Sequence, residues 1–347
     1  MRITAILTVR NEGAFLLEWL AHHRAAGVTD FLVYSNNCQD GTDAMLDRLA
    51  ELGWLTHERN DGPYDKRGIQ FTALKAAEKH PLVTSADWLL PLDVDEFVNI
   101  HTGDHTVPAL INALPEATAI TLTWRLFGNA GQIRFHDSPI TETFTHAAPQ
   151  VLHWPWRAVM FKTLYRNDGS YKKLGVHRPR QPGASADIKW FDGCGRELGP
   201  AFRAQRLFSD YGQSNYDLVQ LNHYPLGAME SYVLKSDRGR AVHEGEKLAM
   251  DYWVERNFCT DEDTSIQTMA APRKRIQAML MQDQTLENLH KSSVEWRVNR
   301  FQELMLEEPN RALFSRLLMT PPTRPIPEKL AKTLQAYGRR AFSKRQQ

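Results

Sequence analysis

"WLLPLDVDEFVNI", residues 88–100, carries an unbroken apolar run into two aspartates one residue apart, with Glu96 and Phe97 directly behind them. Such a run reads as a buried strand of a parallel sheet. If the strand persists through its acidic end, Asp93 and Asp95 point to one side, because strand side chains alternate with period two. Two carboxylates on one face repel unless a cation sits between them. A hard divalent ion, Mg²⁺ or Mn²⁺, suits that place, since it accepts few protein oxygens and completes its shell with phosphate oxygens. The structural alternative is that Asp93 caps the next segment and Asp95 is a solvated turn residue.

Outward from this stretch, two periodicities alternate. "ITAILTV" (3–9) and "FLVYS" (31–35) are β-rich, while Phe15, Leu16, Trp19, Leu20 and His23 between them recur at helical spacing and Gly27 can end the helix. The same alternation continues through "DGTDAMLDRLAELG" (40–53), "WLTHE" (54–58), a helix from about Arg67 to Lys79 closed by Pro81, and "DWLLPLD" (87–93). Strand, helix, strand implies right-handed crossovers and an α/β fold with an open, mostly parallel sheet. The acidic pair then falls at the C-terminal end of a central strand, where open sheets bind ligands. "AITLTWRLFGNAG" (119–131) reads as a further strand and turn, and residues 132–215 as loops and short strands around a site. From about 228 the chain turns helical, and "TPPTRPIPEK" (320–329) leads as a Pro-rich linker into the basic tail "GRRAFSKRQQ" (338–347). That tail fits a solvated, frayed terminus or weak peripheral contact with an anionic membrane.

Composition excludes several classes. Lys and Arg number 42 against 41 Asp and Glu, a net charge of +1, so no global field points to nucleic acid. No run of about 18 apolar residues suggests a transmembrane segment, and the apolar start is too short for a signal peptide. Cys38, Cys194 and Cys259 match neither a disulfide framework nor a zinc spacing. A soluble, cytoplasmic protein is expected.

"TVRNE" (8–12), "SNNCQDGT" (35–42) and "DVDEF" (93–97) occur in an order and at spacings that resemble the nucleotide-sugar-dependent glycosyltransferases of family 2 type, with the GT-A fold. "LNHYPLGAMESYVLKSDRGRA" (221–241) is similar to a His-Tyr segment of bacterial relatives and of family 92. The resemblance implies a nucleoside-diphosphate sugar as donor, a divalent metal, a glycan or other hydroxyl acceptor, inversion at the sugar, and a place in polysaccharide or glycan assembly. It divides the chain into a GT-A unit at 1–240 (nucleotide-sugar half 1–130, acceptor half 131–240), a helical extension at 241–320, and the linker and tail at 321–347.

Carried over by position, Asn11 and Glu12 match the loop lining base and ribose, with Val9 and Arg10 as adjoining backbone. Asn36 stands where the family usually has a nucleobase-binding aspartate, and its amide offers donor and acceptor alike. Arg67 would face the diphosphate from a helix start, or else be a solvated partner of Asp61 or Asp65; Gln70 lies one turn along. Asp93 and Val94 would close the donor site. Asp93 and Asp95 would hold the metal, with His223 reaching back to it and His177 a second candidate. Asp40 is a ligand or a helix cap.

Inverting transfer also needs a carboxylate base on another element. Asp192 in "KWFDGCGREL" (189–198), beside Trp190 and Phe191, is the choice, with an Asp-Gly turn as its plain reading and Asp137, Glu142 and Glu197 as other candidates. Trp154 and Trp156 suit an acceptor platform or a core. Two other functions compete with this reading. An aspartate-nucleophile phosphohydrolase places its acidic pair on the first core strand, unlike this chain. A non-catalytic nucleotide- or sugar-binding protein of the same fold remains the alternative.

Overall fold

The computed structural model describes all residues except 65, 67, 185–186, 239–247 and 346–347. Its first half alternates as the periodicities require: β1 (Ile3–Val9), α1 (Gly13–Ala25), β2 (Asp30–Ser35), α2 (Thr42–Glu51), β3 (Thr56–Arg59), α3 (Ile69–Ala77), α4 (Pro81–Thr84) and β4 (Trp88–Leu92). Pro81, expected to close a helix, opens the short α4, where its missing N–H costs nothing. The middle adds β5 (Glu96–Ile100), α5 (Val107–Ala113), β6 (Ala119–Leu126), α6 (Ile140–Thr143), β7 (His146–Ala147), β8 (Phe161–Arg166), β9 (Tyr171–Lys173), β10 (Arg180–Pro182), β11 (Trp190–Phe191), β12 (Glu197–Leu198), α7 (Ala201–Ala204) and β13 (Val219–His223). Helices α8 (Met229–Arg238), α9 (Met250–Val254), α10 (Ala270–Leu280), α11 (Gln284–Leu304), α12 (Glu308–Met319) and α13 (Glu328–Arg345) follow, with β14 (Asp261–Glu262) among them. The terminal stretch expected to be frayed is thus largely helical, with Leu330, Leu334 and Tyr337 exposed along α13.

The main sheet runs β12-β11-β6-β8-β4-β1-β2-β3, with β13 bridging β5 and β6. β1 pairs in parallel with β2 and β4, and β2 with β3, which brings the C-terminal ends of these strands to one edge. β8 runs antiparallel between β4 and β6. That inserted strand carries Lys162 to the acidic edge. The expected open α/β architecture, mostly parallel in its first half and flanked by helices, is the observed one.

The acidic stretch departs from expectation in one respect. β4 stops at Leu92, and Asp93, Val94 and Asp95 form a turn into β5 rather than the end of a strand. The turn's backbone groups find partners outside a ladder. The Glu96 N–H donates to the Asp93 carbonyl at 3.1 Å, the Glu96 carboxyl accepts the Asp93 N–H at 2.9 Å, and the Trp19 indole donates to the carbonyls of Asp93 and Glu96 at 3.1 and 3.0 Å.

Helix α1 supplies that indole and covers β5. Among the described residues β5 has a ladder partner only in β13, which leaves its other edge without a strand. His22 Nε2 meets the Val98 carbonyl at 2.8 Å and His23 Nε2 accepts the Val98 N–H at 3.3 Å. Burial pushes the His22 pKa down to about 4, so the ring is a neutral hydrogen-bonding group.

The C-terminal helices are packed onto the first half. α10 and α11 lie against α1, and α11 also reaches α2 and α8. At the start of α1, a Cβ on Gly13 would stand 2.3 Å from Ser293 Oγ and 2.9 Å from Ser293 Cβ. Ser293 is buried and donates to the Asp40 carbonyl at 2.7 Å, so it cannot simply swing away. Gly13→Ala should therefore cost about 1–3 kcal/mol of stability, the usual cost of overpacking. A denaturant midpoint measures it, and Ser293→Gly in the same chain should recover most of the loss; no recovery would mean that this contact is not the cause.

Candidate active site

The ends of β1, β2 and β4 open into a cavity of about 480 Å³. Val9, Arg10, Glu12, Asn36, Gln70, Asp93, Val94, Asp95 and His223 all line it. These residues come from five segments spread over more than two hundred positions. A second cavity of about 300 Å³ adjoins the first, and the two share Arg10, Glu12, Val94, Asp95, Lys235 and Arg238 as a common wall. Asn11 faces this second cavity. Its positive φ of 55°, tolerable for asparagine, aims Oδ1 at the Gln39 N–H, 2.7 Å away, which ties the β1 loop to the β2 loop.

Asp40 ties the same two loops. Its carboxylate accepts the N–H of Gly13 at 3.0 Å and that of Thr42 at 2.9 Å, while Thr42 Oγ1 accepts the Glu12 N–H at 2.9 Å. Asp40 is thus a structural brace between the starts of α1 and α2. Glu12 faces the cavity, paired with Arg238, which also donates to the Arg10 carbonyl.

Each acidic residue of the turn has its own lysine. Asp93 accepts from Lys162 Nζ at 2.8 Å and from Gln70 Nε2 at 2.9 Å. Asp95 accepts from Lys235 Nζ at 2.7 Å and stands 3.7 Å from His223 Nε2. Burial alone would raise the Asp95 pKa, but the charge of Lys235 above all, with the His223 ring beside it, outweighs burial and holds the group well below the usual carboxylate range. Lys162 is almost completely buried, which would favour its neutral form, yet Asp93 and Glu96 beside it hold its pKa above the ordinary value. Glu96 is completely buried under the turn, accepting from Trp124 Nε1 at 2.6 Å with Lys162 Nζ at 3.5 Å. Burial pushes its pKa up to about 8, with Lys162 opposing and the charges of Asp93 and Asp95 adding.

The two histidines are neutral neighbours of this cluster. His223 ends β13, in register with Glu96 on β5, and its ring lies 4.2 Å from that of Trp124. Burial lowers its pKa, and Nδ1 is buried without a hydrogen-bond partner. His177 also lines the cavity, Nδ1 at 3.0 Å from the Phe161 carbonyl, its pKa lowered to about 4 by burial and then by Lys162.

The family profile of glycosyltransferase family 92 matches residues 7–181, half of the chain. The chain belongs to glycosyltransferase family 92. Curated relatives include the glycosyltransferase family 92 protein Os08g0121900 of Oryza sativa subsp. japonica, 27% identical over 150 residues, and RCOM_0530710 of Ricinus communis, 31% identical over 107 residues. The first alignment spans 41% of this chain and 24% of the rice protein, the second 30% and 18% of the castor protein. Among solved structures, S. aureus TarS 1-349 in complex with UDP-GlcNAc is 16% identical, covering 48% of this chain and 45% of that one, at a TM-score of 0.28. Glucosyl-3-phosphoglycerate synthase from Mycobacterium tuberculosis, in complex with Mn2+, UDP and glucosyl-3-phosphoglycerate, is 18% identical, covering 38% and 46%, at a TM-score of 0.26. The family 92 match falls on the half whose motifs resemble family 2, and it ends before the 221–241 segment for which sequence reading drew the family 92 likeness.

Three site expectations for this family 92 chain need correction or fall outside view. Asp192 lies away from both cavities. Its carboxylate is 2% exposed and accepts the N–H groups of Cys194 and Arg196 at 2.9 Å and Arg196 Nε at 2.6 Å, so it holds the β11–β12 turn and has no free face for a substrate proton. Arg67 lies outside the described residues. Asp93, Asp95 and His223 do not converge as a three-ligand metal site; among the described residues no group of three or more His, Cys, Asp or Glu side chains does. The turn geometry and the two lysines are the reason. Asp137 and Glu142 are occupied by His290 and by Arg273 and Lys274, and Trp154 and Trp156 line neither cavity. Sequence reasoning missed Lys162, Glu96 and Trp19 as parts of the site. Lys235 and Arg238, one helical turn apart after the His223 strand, were visible in the quoted segment without an assigned role.

No helix among the described residues is long and apolar enough to cross a membrane.

Glu96 gives the site a pH signature. An acid whose pKa rises on folding, from 4.5 to about 8, contributes stability that is full below the lower value and lost as pH climbs through the upper one. The melting temperature of the wild type should fall between about pH 4.5 and pH 8, and Glu96→Gln, whose amide mimics the protonated acid, should flatten that fall. An unchanged slope in the variant would assign the proton elsewhere.

Proposed function

We propose that this chain catalyses transfer of a sugar from a nucleoside-diphosphate sugar to a hydroxyl acceptor, with inversion, as a step in polysaccharide or glycan assembly. The observation that carries the reading is the gathering of nine positions expected of a donor site around one cavity at the strand ends, in a chain of family 92. In the reaction the acceptor oxygen bonds to the anomeric carbon as the bond from that carbon to the diphosphate oxygen breaks. The diphosphate leaves with the electron pair, and the acceptor's proton passes to a base. The chain's own part is to bind and orient: Asn36 and the β1 loop face the nucleoside, while Lys235 and Arg238 offer positive charge where the leaving diphosphate gains negative charge.

Asp95 and His223 fit a divalent ion, Mn²⁺ or Mg²⁺, by type and by their 3.7 Å approach, since such an ion takes one or two protein ligands and completes its shell from phosphate and water. A neutral His223 keeps a ring lone pair for that purpose. Bound there, the ion would supply Lewis-acid stabilisation of the leaving diphosphate. Asp93, held by Lys162 and Gln70, positions the lysine and closes the turn.

The test is a thermal-shift screen of the wild type, Asp93→Ala and Asp95→Ala against nucleoside diphosphates and their sugars, with and without Mn²⁺. A ligand at a hundred times its Kd adds about 2.7 kcal/mol, a shift of a few degrees. The wild type should show a nucleotide shift that grows with Mn²⁺, and Asp95→Ala should lose the metal-dependent part while remaining folded. No shift with any nucleotide overturns the donor site. Binding without sugar release or transfer would instead favour a non-catalytic nucleotide- or sugar-binding protein.

A further inference from the structure

The 300 Å³ cavity has an electrostatic character of its own. Three ion pairs in its wall are self-contained: Arg238 with Glu12, Lys235 with Asp95 and Arg300 with Asp237. Arg10, Arg134 and Arg297 also line it, and among the described residues none of the three has a carboxylate within ion-pair distance. The cavity therefore carries three uncompensated guanidinium groups, although the chain as a whole is nearly neutral.

Arg297 is the least expected of them. It is 7% exposed, its Nε has no hydrogen-bond partner, and its guanidinium lies 4.5 Å from the ring centre of Phe15 and 5.1 Å from that of Phe135. Burial draws its pKa down to about 10, with Glu12 opposing, so it stays charged at neutral pH. A buried cation with no carboxylate in direct contact is costly, and a guanidinium is the side chain best shaped to take a planar carboxylate or a phosphate in two hydrogen bonds. Beside it Phe135 and Trp296 offer the apolar faces on which a sugar ring can lie.

We propose that this cavity is the acceptor subsite and that the acceptor is an anionic hydroxyl compound, its carboxylate or phosphate held by Arg297 and Arg134. The inference rests on the larger cavity being the donor site, because the shared wall at Asp95 and Lys235 then puts an acceptor hydroxyl next to the donor sugar.

The experiment measures binding of glucose, glucuronate, glucose 6-phosphate and inorganic phosphate to the full chain, with and without UDP. Glucuronate or glucose 6-phosphate should bind at least about tenfold more tightly than glucose, the usual scale of a charged hydrogen bond in a sheltered site. A response to the uronate alone identifies a carboxylate acceptor, and one to the phosphate ester alone a phosphorylated one. Arg297→Met should remove the preference and Arg297→Lys keep part of it. Arg134→Ala, at an exposed position that cannot threaten folding, should weaken it too, with UDP affinity unchanged. Equal binding of glucose and its anionic analogues, or an unaltered preference in a folded Arg297→Met, overturns the proposal. So does competition between inorganic phosphate and UDP, which would make the arginines part of the diphosphate site. Anion binding without any nucleotide binding would instead bring down the donor reading, and the acceptor role with it, while leaving the anion site.

Discussion

The site depends on one buried carboxyl group. Glu96 has no solvent exposure, yet it closes the turn that bears Asp93 and Asp95 by accepting the Asp93 N–H, and it anchors that turn to the sheet through Trp124. A charged acid in this position would carry a desolvation penalty that Lys162 only partly offsets, so folding favours the protonated form. The proton turns a third negative charge at the strand edge into a neutral hydrogen-bonding group. The two remaining aspartates can then stand one residue apart without a third carboxylate pressing on them.

Lysines complete the balance. Lys162, brought in on antiparallel β8, and Lys235, brought in on α8, neutralise Asp93 and Asp95 one for one. The Lys235 ammonium, which lines both cavities, is a compact point charge on a flexible stem, able to turn from a carboxylate to a phosphate without moving backbone. The neighbouring cavity is built differently. Its unpaired charges are guanidinium groups, and the buried one is held rigidly between aromatic rings. Apart from Arg10 in the shared wall, the unpaired charges thus belong to the smaller cavity.

The sequence was most legible where local pattern and tertiary role coincide. The strands and helices of residues 1–93 follow from two clean periodicities, and the loops after β1, β2 and β4 meet because a parallel sheet places all such ends on one edge. His223 was placed correctly because an apolar run ending in a turn locates a strand end. Asp192 was not, since an Asp-Gly pair beside aromatics looks the same whether the carboxylate faces a substrate or folds back on its own turn. Whether β4 would continue through Asp95 could not be read from alternation, because the groups that end it, Trp19 and Trp124, lie far away in sequence. Lys162 sits in "VMFKTLYR" as one basic residue among apolar ones, and nothing local says that its ammonium group is buried against two acids. Family 92 membership adds the reason to treat these loops as one site, which no single motif supplies.

The hydrogen bond from Ser293 to the Asp40 carbonyl joins positions 253 residues apart. Contacts so distant along the chain form only after a large loop has been closed, and they tend to come late in folding. The first strands can pair while the chain is still short, but the loops that carry Asn11, Glu12 and Asp40 gain their last support only when α11 docks on them. On a ribosome, which releases a chain from its N-terminus, the sheet would precede the site. The order of synthesis then separates the two: the strand edge exists early, and its loops are set only once α11 has emerged.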